Sequence, residues 1–210
     1  VSRLTRSLVD AGFLLYDHGQ QGYRLASVCL SLALSYRAAH SALDLALPLM
    51  RGLAEGRRIN VGLAVLDQTE MVYLDSVRLS RLGIFRRLVP GSRIPVALTS
   101  LGRAFMESMP APDRRALMDK LAEEHRANWT SIQREIRDAH RSIKDRGYCW
   151  AQWQTGSIAI ATSLREPTGQ LYALNISLSI SEPPSDQMIA SHGELLRILA
   201  TSIEARWKAG

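Results

Sequence analysis

The sequence predicts an α+β protein: a partial winged helix-turn-helix, a linker helix, and a larger domain on an antiparallel-rich sheet of about six strands. Three observations predict it. Residues 1–12 have helical spacing, end in a glycine and run into two short β patterns. Residues 26–40 form an apolar segment at helical spacing. From Asn60 onward, extended runs alternate with amphipathic helices.

Composition sets the bounds. With 210 residues, 46% of them apolar and 22% charged, the chain can bury a sizeable core. A net charge of +6 and a pI near 9.7 suit a nucleic-acid partner without requiring one. Cys29 and Cys149 are too few for a disulfide framework and lack metal-ligand spacing, which points to a reducing cytoplasm. No stretch approaches the roughly 18 apolar residues of a spanning helix. The opening segment is charged and amphipathic, unlike a signal peptide.

In VSRLTRSLVDAG, Val1, Leu4, Leu8 and Val9 share one helical face, Ser2, Arg3, Thr5 and Arg6 lie elsewhere on the wheel, and Gly12 is placed to stop the helix. Phe13–Tyr16 and Tyr23–Leu25 then read as strands around a Gly19/Gly22 turn. Helix, glycine and hairpin make the second half of a winged helix-turn-helix, in which the helix enters the major groove and the hairpin lies along the backbone. The candidates for DNA contact are Ser2, Arg3, Thr5 and Arg6 on the helix, and Gln21 and Arg24 on the hairpin. A winged helix needs about two helices before its recognition helix, so the chain is expected to be an N-terminally truncated fragment. A solvated helix with an edge hairpin fits the same residues.

Residues 26–40 suit a linker helix that pairs with another chain, with Ser27 as N-cap. Domain boundaries are expected at 1–25, 26–40 and 41–210. The next helix starts at Ser41, with Asp44 completing a capping-box-like start, carries Leu45, Leu49 and Leu53 on one face, kinks at Pro48 and stops at Gly56. NVGLAVL and MVYLDSV form a hairpin around Asp67–Glu70, and LGIFRRLV a third strand, in which at most one of Arg86 and Arg87 faces a pocket.

Pro90–Met106 is the focal stretch. Pro95 forces Ile94 to be extended, and Thr99 or Ser100 opens a helix whose unpaired N–H groups and partial positive charge suit a carboxylate. Between Asp75 and Glu107 there is no acid, while Arg78, Arg81, Arg86, Arg87, Arg93 and Arg103 all fall there. The segment reads as the wall of a pocket for a small organic acid, or as an ordinary capped helix beside a basic surface. Helices follow from Pro112 or Asp113 and from a Thr130/Gln133 cap to Gly147, the latter burying Ile132, Ile136, Ala139 and Ile143. Strands YCWAQW, SIAIATSL and LYALNISLSI come next, then a helix from Ser185 to about Trp207.

Catalytic signatures are missing. The sequence has no G-x-S-x-G elbow, P-loop or G-x-G-x-x-G, and its five histidines are scattered without ligand spacing. Neither an enzyme, a metal nor a cofactor is expected.

The motifs VSRLTRSLVDAGFL, GYRL, LDQTEMVYLDSV, GSRIPVALTSLGRAFM, IRDAHRSIKDRGYCW, GSIAIATSL and LYALNISLS, in this order, closely resemble the IclR family of bacterial transcriptional regulators. The GSRIPVALTSLGRA and NIS forms are most similar to the branch that responds to aromatic acids such as protocatechuate and 4-hydroxybenzoate. The resemblance implies a winged helix-turn-helix, a GAF/profilin-like effector-binding domain, and dimers or tetramers on palindromic double-stranded operators. It places the effector against Thr99, Ser100, Leu101 and Gly102, with Gln152, Ala159, Asn175 and Ser177 as further lining. Many members carry an acid where this chain reads WAQWQT, and Cys or Ser at Ala159. Gaining Trp150 and Trp153 while losing those groups suggests an apolar, aromatic-lined pocket and puts small 2-oxo acids in doubt; core packing would equally occupy the tryptophans. The functions to separate are therefore a DNA-binding regulator that senses a carboxylic acid, and a stand-alone sensor or dimerisation module.

Overall fold

A computed structural model describes residues 3–79 and 88–209, and the chain divides into two compact units, Val1–Ser41 and Ala42–Gly210. In the first unit, α1 (Arg3–Asp10) ends on Gly12 at φ +77, a left-handed turn that glycine adopts without strain. The hairpin of β1 (Leu14–Asp17) and β2 (Gly22–Leu25) is closed by Asp17, whose Oδ1 accepts from the amides of Gly19 (2.9 Å) and Gln20 (3.1 Å). Tyr16 and Tyr23 stack edge-to-face across it. α2 (Val28–Ala38) follows, and Ser27 makes no side-chain cap, contrary to expectation. Within this unit Val28, Leu30, Leu32, Leu34 and Tyr36 all lie exposed.

The second unit is built on one six-stranded antiparallel sheet in the order β5-β4-β3-β8-β7-β6. Its strands are β3 (Asn60–Asp67), β4 (Glu70–Val77), β5 (Arg93–Pro95), β6 (Cys149–Ala151), β7 (Ser157–Arg165) and β8 (Leu171–Ser179). The N-terminal hairpin β3–β4 thus joins the C-terminal hairpin β7–β8 through β3 and β8. α3 (Ser41–Arg57) and α7 (Asp186–Ala209) cover one face, and α4 (Ser100–Ser108) and α6 (Trp129–Arg146) the other; α5 (Ala111–Glu124) packs beside α4 and α6.

Strand alternation assigns a different chemistry to each face. Val61, Leu63 and Val65, Ile158, Ile160 and Leu164, and Tyr172, Leu174 and Ile176 pack against Leu43, Met50, Leu196 and Ile203 of α3 and α7. Trp207 ties the two helices together by donating to the Ala42 carbonyl at 2.8 Å. The intervening positions (Asn60, Gly62 and Ala64; Ala159 and Ala161; Ala173, Asn175 and Ser177) are small or polar and face α4.

Several expected boundaries move. α3 runs past Gly56 to Arg57, and the left-handed turn falls on Arg58 (φ 55). Thr130 lies inside α6, whose N-cap position is Asn128 without a side-chain bond. Most of LGIFRRLV lies outside the described residues, including Arg86 and Arg87, and Leu88 and Val89 are irregular; the strand beside β4 is β5. Gly147 closes α6 at φ 83, as its position requires.

Candidate effector-binding cavity

The cavity lies between the start of α4 and the part of the sheet that carries Ala159, Asn175 and Ser177. α4 opens as the sequence predicts: Thr99 is extended, and its Oγ1 accepts from the Gly102 amide (3.3 Å) while donating to the Pro95 carbonyl (2.8 Å). Gly102 is needed for packing, since a Cβ there would stand 2.2 Å from the Val96 carbonyl oxygen. The chain therefore folds back tightly on the segment from Pro95, which aims the start of α4 at the sheet.

Between them lies a small cavity of about 40 Å³ that opens to solvent. Leu88, Ile94, Leu101, Ala151, Ile158 and Ala159 supply apolar wall, Tyr73 and Trp153 aromatic surface, and Thr99, Ser100, Ser157, Asn175 and Ser177 polar groups. Among the described residues, the buried Ser100 Oγ and Asn175 Oδ1 have no hydrogen-bond partner. Orphaned polar atoms are rare in folded interiors because each forfeits its hydration without return.

Of the eight effector candidates, Thr99, Ser100, Leu101, Ala159, Asn175 and Ser177 line this one cavity. Gly102 packs on Val96, and Gln152 lies in a separate open cleft with Arg103, Glu135, Ser142, Arg146 and Trp150. Trp153 faces the cavity, whereas Trp150 is 40% exposed. Tyr73 escaped the sequence reading. Its neighbours were easier to read: β3, β7 and β8 each alternate large and small residues, and of the small ones Ala159, Asn175 and Ser177 border the cavity while Ala64, Ala161 and Ala173 pack in the core with α4.

The focal arginines separate. Arg93 bridges Asp67 (2.7 Å) and Glu70 (2.5 Å) on the exposed hairpin. Arg103 is buried, donates to the Ala97 carbonyl (3.0 Å) and pairs with Glu135 (2.6 Å). Arg78 sits with its guanidinium carbon 5.1 Å from the Tyr73 ring centroid, and its Nη1 donates to Ser177 Oγ at 3.4 Å. Behind α4, burial pushes the Cys149 thiol up to about 12, leaving it an inert core group. Burial, reinforced by Arg114, lowers His140 to about 4, so it is neutral near pH 7. Among the described residues no cluster of three or more His, Cys, Asp or Glu could hold a metal ion. None of their helices is long and apolar enough to cross a membrane.

In the first unit, Arg3, Arg6, Gln21 and Arg24 are exposed and Thr5 is half-buried, while Ser2 lies outside the described residues.

A helix-and-hairpin unit followed along the chain by a cavity-bearing α+β domain is an organisation that suits a ligand-responsive regulator. The family model for the C-terminal region of the bacterial transcriptional regulator IclR matches residues 36–205, and the chain belongs to that family, one of regulators rather than enzymes. It is 24% identical to the HTH-type transcriptional regulator TsaQ1/TsaQ2 of Comamonas testosteroni, over all of this chain and 77% of that protein. The crystal structure of an IclR family regulator from Brucella abortus superposes with a TM-score of 0.87 at 29% identity, covering 97% of this chain and 77% of that one. An IclR homologue from Microbacterium hydrocarbonoxydans, solved in complex with 4-hydroxybenzoate, shares the fold with a TM-score of 0.71 at 21% identity over 99% and 85% of the chains.

Proposed function

We propose that the protein is a DNA-binding regulator whose α4-side cavity takes a small organic carboxylic acid, and that occupancy alters its hold on a palindromic operator. The observation that carries this reading is the pair of orphaned polar atoms, Ser100 Oγ and Asn175 Oδ1, in an otherwise largely apolar cavity at a helix N-terminus. Tyr73 and Trp153 favour an aromatic acid, and the 4-hydroxybenzoate bound by the Microbacterium homologue gives that choice a precedent. On the DNA side, Arg3 and Arg6, with Thr5 between them, face the major groove, and Gln21 and Arg24 the backbone. The apolar, exposed α2 pairs with a second copy, giving a dimer or a tetramer. The effector acts through its different affinity for the DNA-competent and incompetent arrangements.

Gel-shift titration of the protein on its own upstream region tests this. Retardation with steep salt dependence, weakened uniformly by Arg24→Ala, is the expected result. No retardation at low as well as moderate salt would overturn DNA binding and leave a small-molecule sensor module.

A further inference from the structure

Gly62 stands on the sheet face that borders the cavity, where a side chain would have no room. A Cβ there would lie 2.5 Å from Tyr73 Cε1, 3.0 Å from Tyr73 Cδ1 and 2.8 Å from Asn175 Oδ1. The ring and the amide thus occupy the space that any other residue at this position would fill. Glycine inside a strand gives up much backbone freedom and packs no side chain, so it marks a close approach. Here the approach is made by two residues that line the cavity, Tyr73 and Asn175, each 2% exposed.

Tyr73 reaches that face through an irregularity in β4. Val77, Ser76 and Asp75 pair with Val61, Gly62 and Leu63, but the register then shifts and Tyr73 pairs with Ala64, so Leu74 is an extra residue. In an unbroken strand Tyr73 would face away from Gly62, because Ser76 shares the face of Gly62 and an odd number of steps separates the two. The extra residue turns Tyr73 onto that face, while Leu74 packs in the opposite layer with Val61 and Leu63. The Tyr73 hydroxyl accepts from Asn175 Nδ2 at 3.4 Å, and the Arg78 guanidinium carbon lies 5.1 Å from the ring centroid, so the ring is fixed from two sides.

The free space beside the ring is about 40 Å³, a few times the roughly 10–15 Å³ that one water needs. In so small a cavity the placement of one side chain decides what fits. The geometry points to Tyr73 as the residue that sets the size of acid the cavity admits, with Gly62 as the positioning residue that lets the ring lie down on the sheet. This rests on the reading of the cavity as the effector site. A methyl at Gly62 would lift the ring off the sheet, and the way off the sheet leads into the cavity. Shortening Tyr73 would instead deepen the cavity. Bulkier acids are therefore refused by contact with the ring and not by charge.

Calorimetric titration with acids of rising bulk (acetate, butanoate, benzoate, 4-ethylbenzoate and 4-tert-butylbenzoate) tests this in wild type, Tyr73→Leu, Tyr73→Phe, Gly62→Ala and the double variant Gly62→Ala/Tyr73→Leu. Wild-type affinity should rise with apolar bulk and then fall at one rung of the series. Tyr73→Leu should move that limit to a bulkier acid, raising the affinity of the first refused acid relative to the last accepted one by about 10- to 100-fold, as a misfit of about a methylene does. Tyr73→Phe keeps the ring and should keep the limit, even where overall affinity drops. Gly62→Ala should move the limit to a smaller acid or abolish binding. The double variant, with no ring for the methyl to meet, should regain it, a rescue not expected of a glycine needed only for folding. If Gly62→Ala does not fold, the two Tyr73 variants decide. A wild type that takes every rung alike, an unchanged limit in Tyr73→Leu, or an equal loss of all acids there would overturn the role of Tyr73 while leaving the cavity an acid site. No acid bound by wild type would overturn the carboxylate reading itself, and the size limit with it.

Discussion

The two faces of the six-stranded sheet are made by the same strands and built to opposite ends. Towards α3 and α7, β8 presents Tyr172, Leu174 and Ile176, each at most 1% exposed and packed against large apolar partners. Towards α4 it presents Ala173, Asn175 and Ser177, also buried, yet Asn175 and Ser177 border the cavity and Asn175 Oδ1 has no partner among the described residues. Burial alone does not distinguish the faces. What differs is whether neighbouring atoms fill the volume and satisfy the polar groups, and that difference separates a face selected for stability from one selected to receive something.

The largest expected effect breaks the packed face. Leu174→Ala should cost about 2–5 kcal/mol in urea unfolding, because surrounding branched side chains cannot collapse into the gap. Gly193→Ala comes next: a Cβ would fall 2.2 Å from the Tyr148 ring, so the α7–sheet contact must spring apart at a cost of about 1–3 kcal/mol. The opposite face should respond differently. Asn175→Leu removes the unsatisfied Oδ1 together with the long bond that its Nδ2 donates to the Tyr73 hydroxyl (3.4 Å), and it fills free space, so its unfolding free energy should stay within about 1 kcal/mol of wild type. A loss as large as that of Leu174→Ala would erase the distinction between the faces.

The smallest effect sharpens the description of the layer behind the cavity. His140 is held neutral with its pKa lowered from 6.5 to about 4. Between those values the unfolded chain binds the proton and the folded one does not, so stability falls as pH drops from about 6.5 towards 4. His140→Gln should flatten that slope in melting curves measured across the window; an unchanged slope would assign it to other groups.

Much of this was legible in the sequence. Thr99, Ile94 before Pro95, and Gly147 were readable because each obeys a local rule of capping, pre-proline geometry or left-handed glycine. Six of the eight residues expected around the effector meet at one cavity. Gly102 and Gln152 do not line that cavity, for different reasons. Gly102 answers to a close approach of Val96, a tertiary requirement, and Gln152 follows the short β6 out of the sheet into another cleft. The facing of the end of β4 was not legible, because the register against β3 shifts between Leu63 and Ala64 and one extra residue inverts the facing of all that follows. The end of α3 was misread by one residue because the left-handed turn falls on Arg58 and not on Gly56.

A thermal-shift screen of wild type beside Ser100→Leu measures most directly whether the unfilled face is a binding site. Ser100 Oγ is buried, unpartnered among the described residues and borders the cavity, so the leucine should occupy the space without unfolding the protein. At least one aromatic or aliphatic carboxylate should raise the wild-type melting temperature, by mass action on the folded state, and leave the variant unmoved. A broad panel of acids that stabilises neither protein, or stabilises both equally, would contradict the assignment of the cavity.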